Sequence, residues 1–155
     1  MLRTEIVSLL PQLRRFARAV ARNAHDADDL VQMTIERALA RSDQLRPGSK
    51  PSSWLFGILR NAWIDEARAR ARRSRLFVSG EIAEEIADSI TSSPTGTLAV
   101  EDAMARLPEE QRTAVALVLI EGLSYAEAAQ VMGVPLGTLT SRLARGRAAL
   151  QTMLA

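Results

Sequence analysis

The sequence predicts an all-α protein: two small helical domains, residues 1–75 and 99–155, joined by an acidic linker over 76–98. Three observations carry this. Apolar residues recur at intervals of three and four, with no alternating strand pattern in the first half of the chain. A polar, acidic, Ser/Thr-rich stretch holding Gly80, Pro94 and Gly96 interrupts that pattern. Beyond it, a capping box, a glycine-containing turn and a basic amphipathic segment follow in order.

In the first domain, Ile6, Leu9, Leu10, Leu13, Phe16, Ala17 and Val20 form one stripe over residues 4–22, with Arg14, Arg15, Arg18 and Arg22 mostly between them. A second helix is predicted to open at Asp26, whose carboxylate caps free N–H groups while Asp28 and Asp29 favour the positive end of the dipole. It runs through Leu30, Met33, Ala38 and Leu39 and gives way to a loop over Arg46–Ser52. From Ser53 a long third helix buries Trp54, Leu55, Ile58, Leu59 and Ala62, then continues without Pro or Gly to about Arg75. Within the linker, Glu81–Ile90 could form a short helix.

The second domain is predicted to start with a helix from Ala99 to Arg106, broken at Leu107-Pro108. Pro108 suits the first position of the next helix, with Glu109 and Glu110 in its first turn. That helix carries Ala114–Ile120 and stops at Gly122. Ser124-Tyr125-Ala126-Glu127 is a capping box opening a helix that ends at Gly133, and Val134-Pro135-Leu136-Gly137 leads into a last helix ending near Leu154. In the last helix Leu139, Leu143, Gly146 and Leu150 face inward, Gly137, Thr138, Ser141 and Arg145 outward, and Arg142 lies at the flank.

Composition narrows the chemistry. The 155 residues include no cysteine, which excludes disulfides, thiolate metal sites and a cysteine nucleophile and fits a reducing, cytoplasmic setting. One histidine leaves little for a metal site. The apolar run Ala114–Ile120 falls far short of the ~20 residues of a membrane span, and the first residues lack a signal peptide's apolar core. With no phosphate-cradling glycine loop, paired carboxylates or nucleophile–base signature, no catalytic residue, cofactor or small-molecule substrate is expected. The net charge of +2 hides a strong asymmetry: 15 basic against 8 acidic side chains in residues 1–75, 2 against 10 in 76–133, and 3 against 0 in 134–155. Such segregation predicts polyanion-facing surfaces at two separate places.

The helix–turn–helix over Ser124–Leu150 is suited to the major groove, where hydroxyl and guanidinium groups reach base edges and phosphates. The alternative is an ordinary helical hairpin with a solvated basic face. The capping box, the glycine in the turn and the absence of any acid after Glu127 favour DNA. For the arginines between Arg60 and Arg75, a polyanion-binding stripe and a solvated helix end remain equally open. On these grounds alone Asp26, Asp28 and Asp29 read as helix capping, Trp54 and Trp63 as core, and His25 as a solvated residue at the start of its helix.

Four blocks then carry a resemblance: Asp28-Asp29-Leu30-Val31-Gln32, Ser53 to Asp65 (SWLFGILRNAWID), Leu107-Pro108-Glu109-Glu110-Gln111-Arg112, and Ser124 to Ala129 (SYAEAA) with Gly137 to Leu143 (GTLTSRL). In this order they resemble a bacterial sigma-70-type sigma factor of the extracytoplasmic-function class, which keeps sigma regions two and four without region three. The resemblance covers almost all of the chain outside the linker. It implies a protein that binds core RNA polymerase and promoter DNA, directs promoter-specific initiation and answers to an anti-sigma factor.

Residue by residue, the resemblance gives Asp28, Asp29, Leu30 and Gln32 to core polymerase, revising the capping-only reading. It gives Arg60, Asn61, Asp65, Arg68 and Arg72 to the −10 element, with the loop Arg46–Ser52 where the family captures a flipped base, and Thr138, Ser141, Arg142 and Arg145 to the −35 element. Thr140 stands where many relatives carry Lys or Arg, and Met33-Thr34 replaces a frequent acidic-then-hydroxyl pair. Promoter elements nominally ~25 base pairs apart lie ~85 Å apart, a span that two domains on a linker reach without its full extension. The acidic linker suits a path through a basic polymerase channel. The alternative function is a sigma-like decoy that sequesters an anti-sigma factor; an autonomous helix–turn–helix regulator is disfavoured by the block Asp28–Gln32.

Overall fold

The computed structural model describes residues 2–21, 23–76 and 96–155, and the described residues contain helices and no strand. Residues 77–95 of the expected acidic linker, with its candidate helix over Glu81–Ile90, lie outside them, while the linker's two ends are helical: Leu76 closes α3, and α4 opens at Gly96, ahead of the expected Ala99. Helix α1 spans Leu2–Ala21, α2 Ala24–Ala40 and α3 Pro51–Leu76, with a single 3-10 turn at Ser42–Gln44. Beyond the linker come α4 (Gly96–Arg106), α5 (Glu109–Val115), α6 (Tyr125–Met132) and α7 (Leu136–Leu154).

Several helix starts differ from expectation. Helix α2 opens at Ala24 because Asn23, extended at φ −129°, accepts the Asp26 N–H on its side-chain oxygen. Asp26 is therefore the capped residue, and its carboxylate is turned to side chains, receiving Asn23 Nδ2 at 2.9 Å. Helix α3 opens at Pro51, inside the expected loop; its fixed φ and missing N–H suit a first helical turn. Pro108, expected as the first residue of α5, is instead its cap, with Glu109 and Glu110 following as anticipated.

The larger correction concerns Ala114–Ile120. Helix α5 loosens into a π turn over Ala116–Ile120, with the Glu121 N–H donating to Ala116 O at 2.9 Å. At the end of the apolar run, on this wider turn, Leu119 and Ile120 are exposed. Past Gly122 the Ser124–Glu127 capping box forms in both directions, at 2.9 and 3.1 Å. Gly133, at φ +65°, closes α6 in the left-handed conformation that glycine adopts without strain.

Both halves of the chain contribute to one continuous apolar core. Phe16 and Phe56 meet edge to face at 5.0 Å within it. Helix α1 lies at the join: one side packs on α2 and α3, another on α4, α5 and the π turn, while α3 also lies along α6. Ala128 and Ala129 are buried, as close helix crossing requires. Trp54 and Trp63 are half-buried at the core's margin, and the Arg70 guanidinium lies 5.9 Å from the Trp63 ring centre.

Candidate nucleic-acid interface

The helix–turn–helix is built by α6, the Gly133–Pro135 turn and α7. Leu139, Leu143 and Gly146 bury the inner face of α7, with Leu150 half-buried, so its outer face is fixed by packing. Thr138, Ser141, Arg142 and Arg145 line one polar groove, with Pro108, Glu110 and Gln111 from the start of α5 as the opposite wall. Ser141 and Arg145 are exposed, Thr138 is half-buried, and Arg142 leans across to Glu110 at 3.3 Å. The hydroxyl of Thr140 is turned back to its own helix, donating to Leu136 O at 2.9 Å.

The −10 candidates lie along α3. Asn61, Arg68 and Arg72 are exposed, Arg60 is half-buried, and Asp65 is held by Arg37 of α2 at 3.1 Å. Arg60 and Arg68 face a second cleft of ≈ 390 Å³, whose far wall includes Glu109, Glu110 and Thr113 of α5. Burial, then the proximity of Arg142, pushes the Arg60 guanidinium below its ordinary value, with Glu109 and Glu110 opposing. The two basic groups expected to read different promoter elements are thus neighbours in this structure.

Helix α2 presents Asp28, Asp29 and Gln32 to solvent, with His25 3.5 Å from Asp29 and Gln32 Nε2 donating to Glu36 at 3.3 Å. Leu30 differs: it is buried, so here it anchors α2 in the core and offers no surface. Thr34 is also buried, its hydroxyl on Leu30 O at 2.7 Å.

Several residues gain a place that sequence reasoning missed. Arg15 binds Glu121 through both carboxylate oxygens, at 2.7 and 2.8 Å. Lys50 meets Glu127 at 2.8 Å. Buried Arg112 donates to Leu107 O at 2.9 Å and, across to α1, to Val20 O at 3.3 Å. A signal for Arg112 existed, because it falls on the same stripe as Val115 and Ala116, an unusual place for a charge. Glu121 had none, since its position depends on the π turn.

Comparison with known proteins agrees with this architecture. Residues 97–150 match the family model for sigma-70 region 4, and residues 6–60 match that for the Sigma2 domain of PhyR. The ECF RNA polymerase sigma factor EcfG of Rhodopseudomonas palustris is 40% identical, over 99% of this chain and 84% of that protein. The ECF sigma factor SigM of Mycobacterium tuberculosis is 38% identical over 92% and 71%. Among solved structures, the sigma factor RpoE of Bartonella quintana, in complex with the anti-sigma factor NepR, superposes with a TM-score of 0.82 at 31% identity, covering 98% and 95% of the two chains. On the strength of these matches along nearly its whole length, the chain belongs to the extracytoplasmic-function sigma factors of RNA polymerase.

Proposed function

We propose that this sigma factor divides its work between residues 1–75, acting as sigma region two, and residues 99–155, acting as sigma region four, with 76–98 as the tether. The protein is a transcription initiation factor; it acts by placement and carries no catalytic step of its own. Asp28, Asp29 and Gln32 dock on core polymerase, with Leu30 holding their helix from inside. Arg60, Asn61, Asp65, Arg68 and Arg72 serve the −10 element, and Thr138, Ser141, Arg142 and Arg145 the −35 element. The observation that carries this is the single groove that gathers all four −35 candidates on the outer face of α7. Two weak DNA contacts gain effective concentration once core polymerase fixes their spacing, so the free protein binds promoter DNA poorly.

An anti-sigma factor regulates it in this reading, as NepR binds the similar RpoE. No described helix is long and apolar enough to cross a membrane, and its place is the cytoplasm, with the polymerase. The decoy alternative is not favoured: relatives at 38–40% identity are sigma factors, and a decoy has no use for the arginines kept on α3 and α7. Run-off transcription by bacterial core polymerase on pooled genomic promoter fragments tests the reading. Discrete protein-dependent starts are expected, lost when Asp28, Asp29 and Gln32 are replaced by alanine. Starts that survive that triple replacement refute the core-docking assignment.

A further inference from the structure

We propose that Leu136, with Gly137 and the methyl of Thr140, forms an apolar notch at the start of α7 that receives the C5-methyl of one thymine in the −35 element. The inference deepens the promoter-reading assignment and rests on it. The residues assigned to that element, Thr138, Ser141, Arg142 and Arg145, act through hydrogen bonds and charge. A major groove also presents one apolar group on its base edges, the thymine methyl, and an apolar side chain is what reads it.

A single exposed leucine is ordinary on a protein surface, so it is the position of Leu136 that matters. It is the first residue of α7 and is 53% exposed, whereas Leu139 and Leu143 of the same helix are buried. In a helix–turn–helix the first residues of the second helix are the ones that meet base edges. Pro135, at the N-cap, makes no side-chain bond to the first-turn N–H groups, which leaves them to a DNA phosphate and sets this end of α7 against the groove.

The surroundings of Leu136 suit a methyl group. Gly137, next in the chain, has nothing within 4 Å of where a Cβ would stand, so a base edge meets open space there. Thr140 is exposed and lies one turn on, on the same face as Leu136 and ~6 Å along the helix axis. Its hydroxyl is committed to Leu136 O at 2.9 Å, so what it turns outward is its γ-methyl. A separation of ~6 Å spans less than two base-pair steps of ~3.4 Å, which fits one thymine and not a tract of them. Ser141 and Arg145 fix the register through polar contacts, and the notch selects an A·T pair within it.

Deoxyuridine in place of thymine removes the methyl and keeps every hydrogen-bonding group, which makes the test direct. Each thymine of the −35 element, on either strand, is replaced in duplexes taken from the starts mapped by run-off transcription, and holoenzyme binding is measured. Replacement at one position is expected to weaken binding about fourfold, the worth of one buried methyl. With Leu136→Ala the two duplexes are expected to bind alike, whereas Leu136→Met, which keeps an apolar side chain of similar volume, retains the difference. If no thymine of the element shows the penalty, or if Leu136→Ala leaves it unchanged, the proposal is overturned. A Leu136→Ala protein that already binds core polymerase more weakly, and loses affinity equally on all duplexes, also overturns it by placing this side chain on polymerase. Binding indifferent to the −35 sequence as a whole refutes the promoter-reading assignment itself, whereas binding that depends on that sequence but ignores its methyls refutes the notch alone.

Discussion

Arg70 grips Asp26 at two points, Nη2 to Oδ1 at 2.8 Å and Nη1 to Oδ2 at 3.1 Å, tying the basic end of α3 to the first turn of α2. The contact exists because Asn23 caps α2 and leaves the Asp26 carboxylate facing outward, where α3 passes. Hydrogen bonding from Arg70, with Asn23 adding to it against some burial, lowers the Asp26 pKa below its ordinary value. One ion pair thus connects the helix proposed to dock on polymerase with the helix proposed to serve the −10 element.

Replacing Arg70 with alanine should cost about 1 kcal/mol of stability, a modest figure because its side chain is 43% exposed and screened by solvent. Arg70→Lys should recover only part, having no planar fork to meet both oxygens. Urea unfolding followed by helicity checks both. A midpoint unchanged in Arg70→Ala would show the pair to be ornamental.

Much of this molecule was legible in its sequence. The periodicity of α1, the capping box at Ser124 and the glycine stop at Gly133 are local features whose physics is complete within a few residues. So was the outer face of α7, since Leu139 and Leu143 dictate which side is buried. What escaped depends on distant partners or on register. The start of α2 was misplaced because three acids compete for a capping role that Asn23 takes. The π turn over Ala116–Ile120, where Leu119 and Ile120 are exposed, is a break in register that no 3.6-residue pattern reveals. Arg15 resembled any solvated arginine until a residue 106 positions away was folded onto it.

Gly146 and Gly137 share α7 but should respond oppositely to a methyl group. At Gly146 an added Cβ would stand 2.8 Å from Val115 Cγ2 and 3.3 Å from the Gln111 carbonyl oxygen, where α5 crosses α7. Overpacking of about 1–3 kcal/mol should exceed the ~1 kcal/mol that alanine gains in helix propensity, so Gly146→Ala destabilises. At Gly137 nothing lies within 4 Å of that methyl, and Gly137→Ala should be neutral or stabilising by up to about 1 kcal/mol. Thermal unfolding of the two variants side by side checks the contrast; a stabilised Gly146→Ala would mean that α5 and α7 can move apart freely.

Arg142 and Arg145 should be separable from Ser141 by salt. If the arginines meet phosphates, removing either lowers the slope of log affinity against log salt by about one and weakens all promoters alike. Ser141→Ala should leave the slope unchanged and alter the choice among −35 sequences instead. Holoenzyme binding to duplex promoters over a salt series measures both. A slope untouched by Arg142→Ala and Arg145→Ala would place the phosphates elsewhere on α7.

Glu127 gives the interface between α3 and α6 an acid limit. Lys50 first, then the Ser124 backbone and side chain, hold its carboxyl at about 2 against an ordinary 4.5. Because the folded value is the lower, the stabilisation is fully present above pH 4.5 and is lost as pH falls toward about 2. Protonation removes the charge and turns one of the two acceptor oxygens into a donor, so the contact that closes the α6 capping box and the one that receives Lys50 at 2.8 Å cannot both be kept. Acid titration of the native protein should therefore show uptake of up to one proton coupled to loss of the α6 cap in this window. In Glu127→Gln that step should vanish, because the amide keeps an acceptor oxygen but has no proton to take up. Lys50 is 68% exposed, so its share of the effect should shrink in high salt while the Ser124 share persists. An acid profile identical in native and Glu127→Gln proteins would assign the low-pH transition to other carboxylates, with Asp26 the first to test.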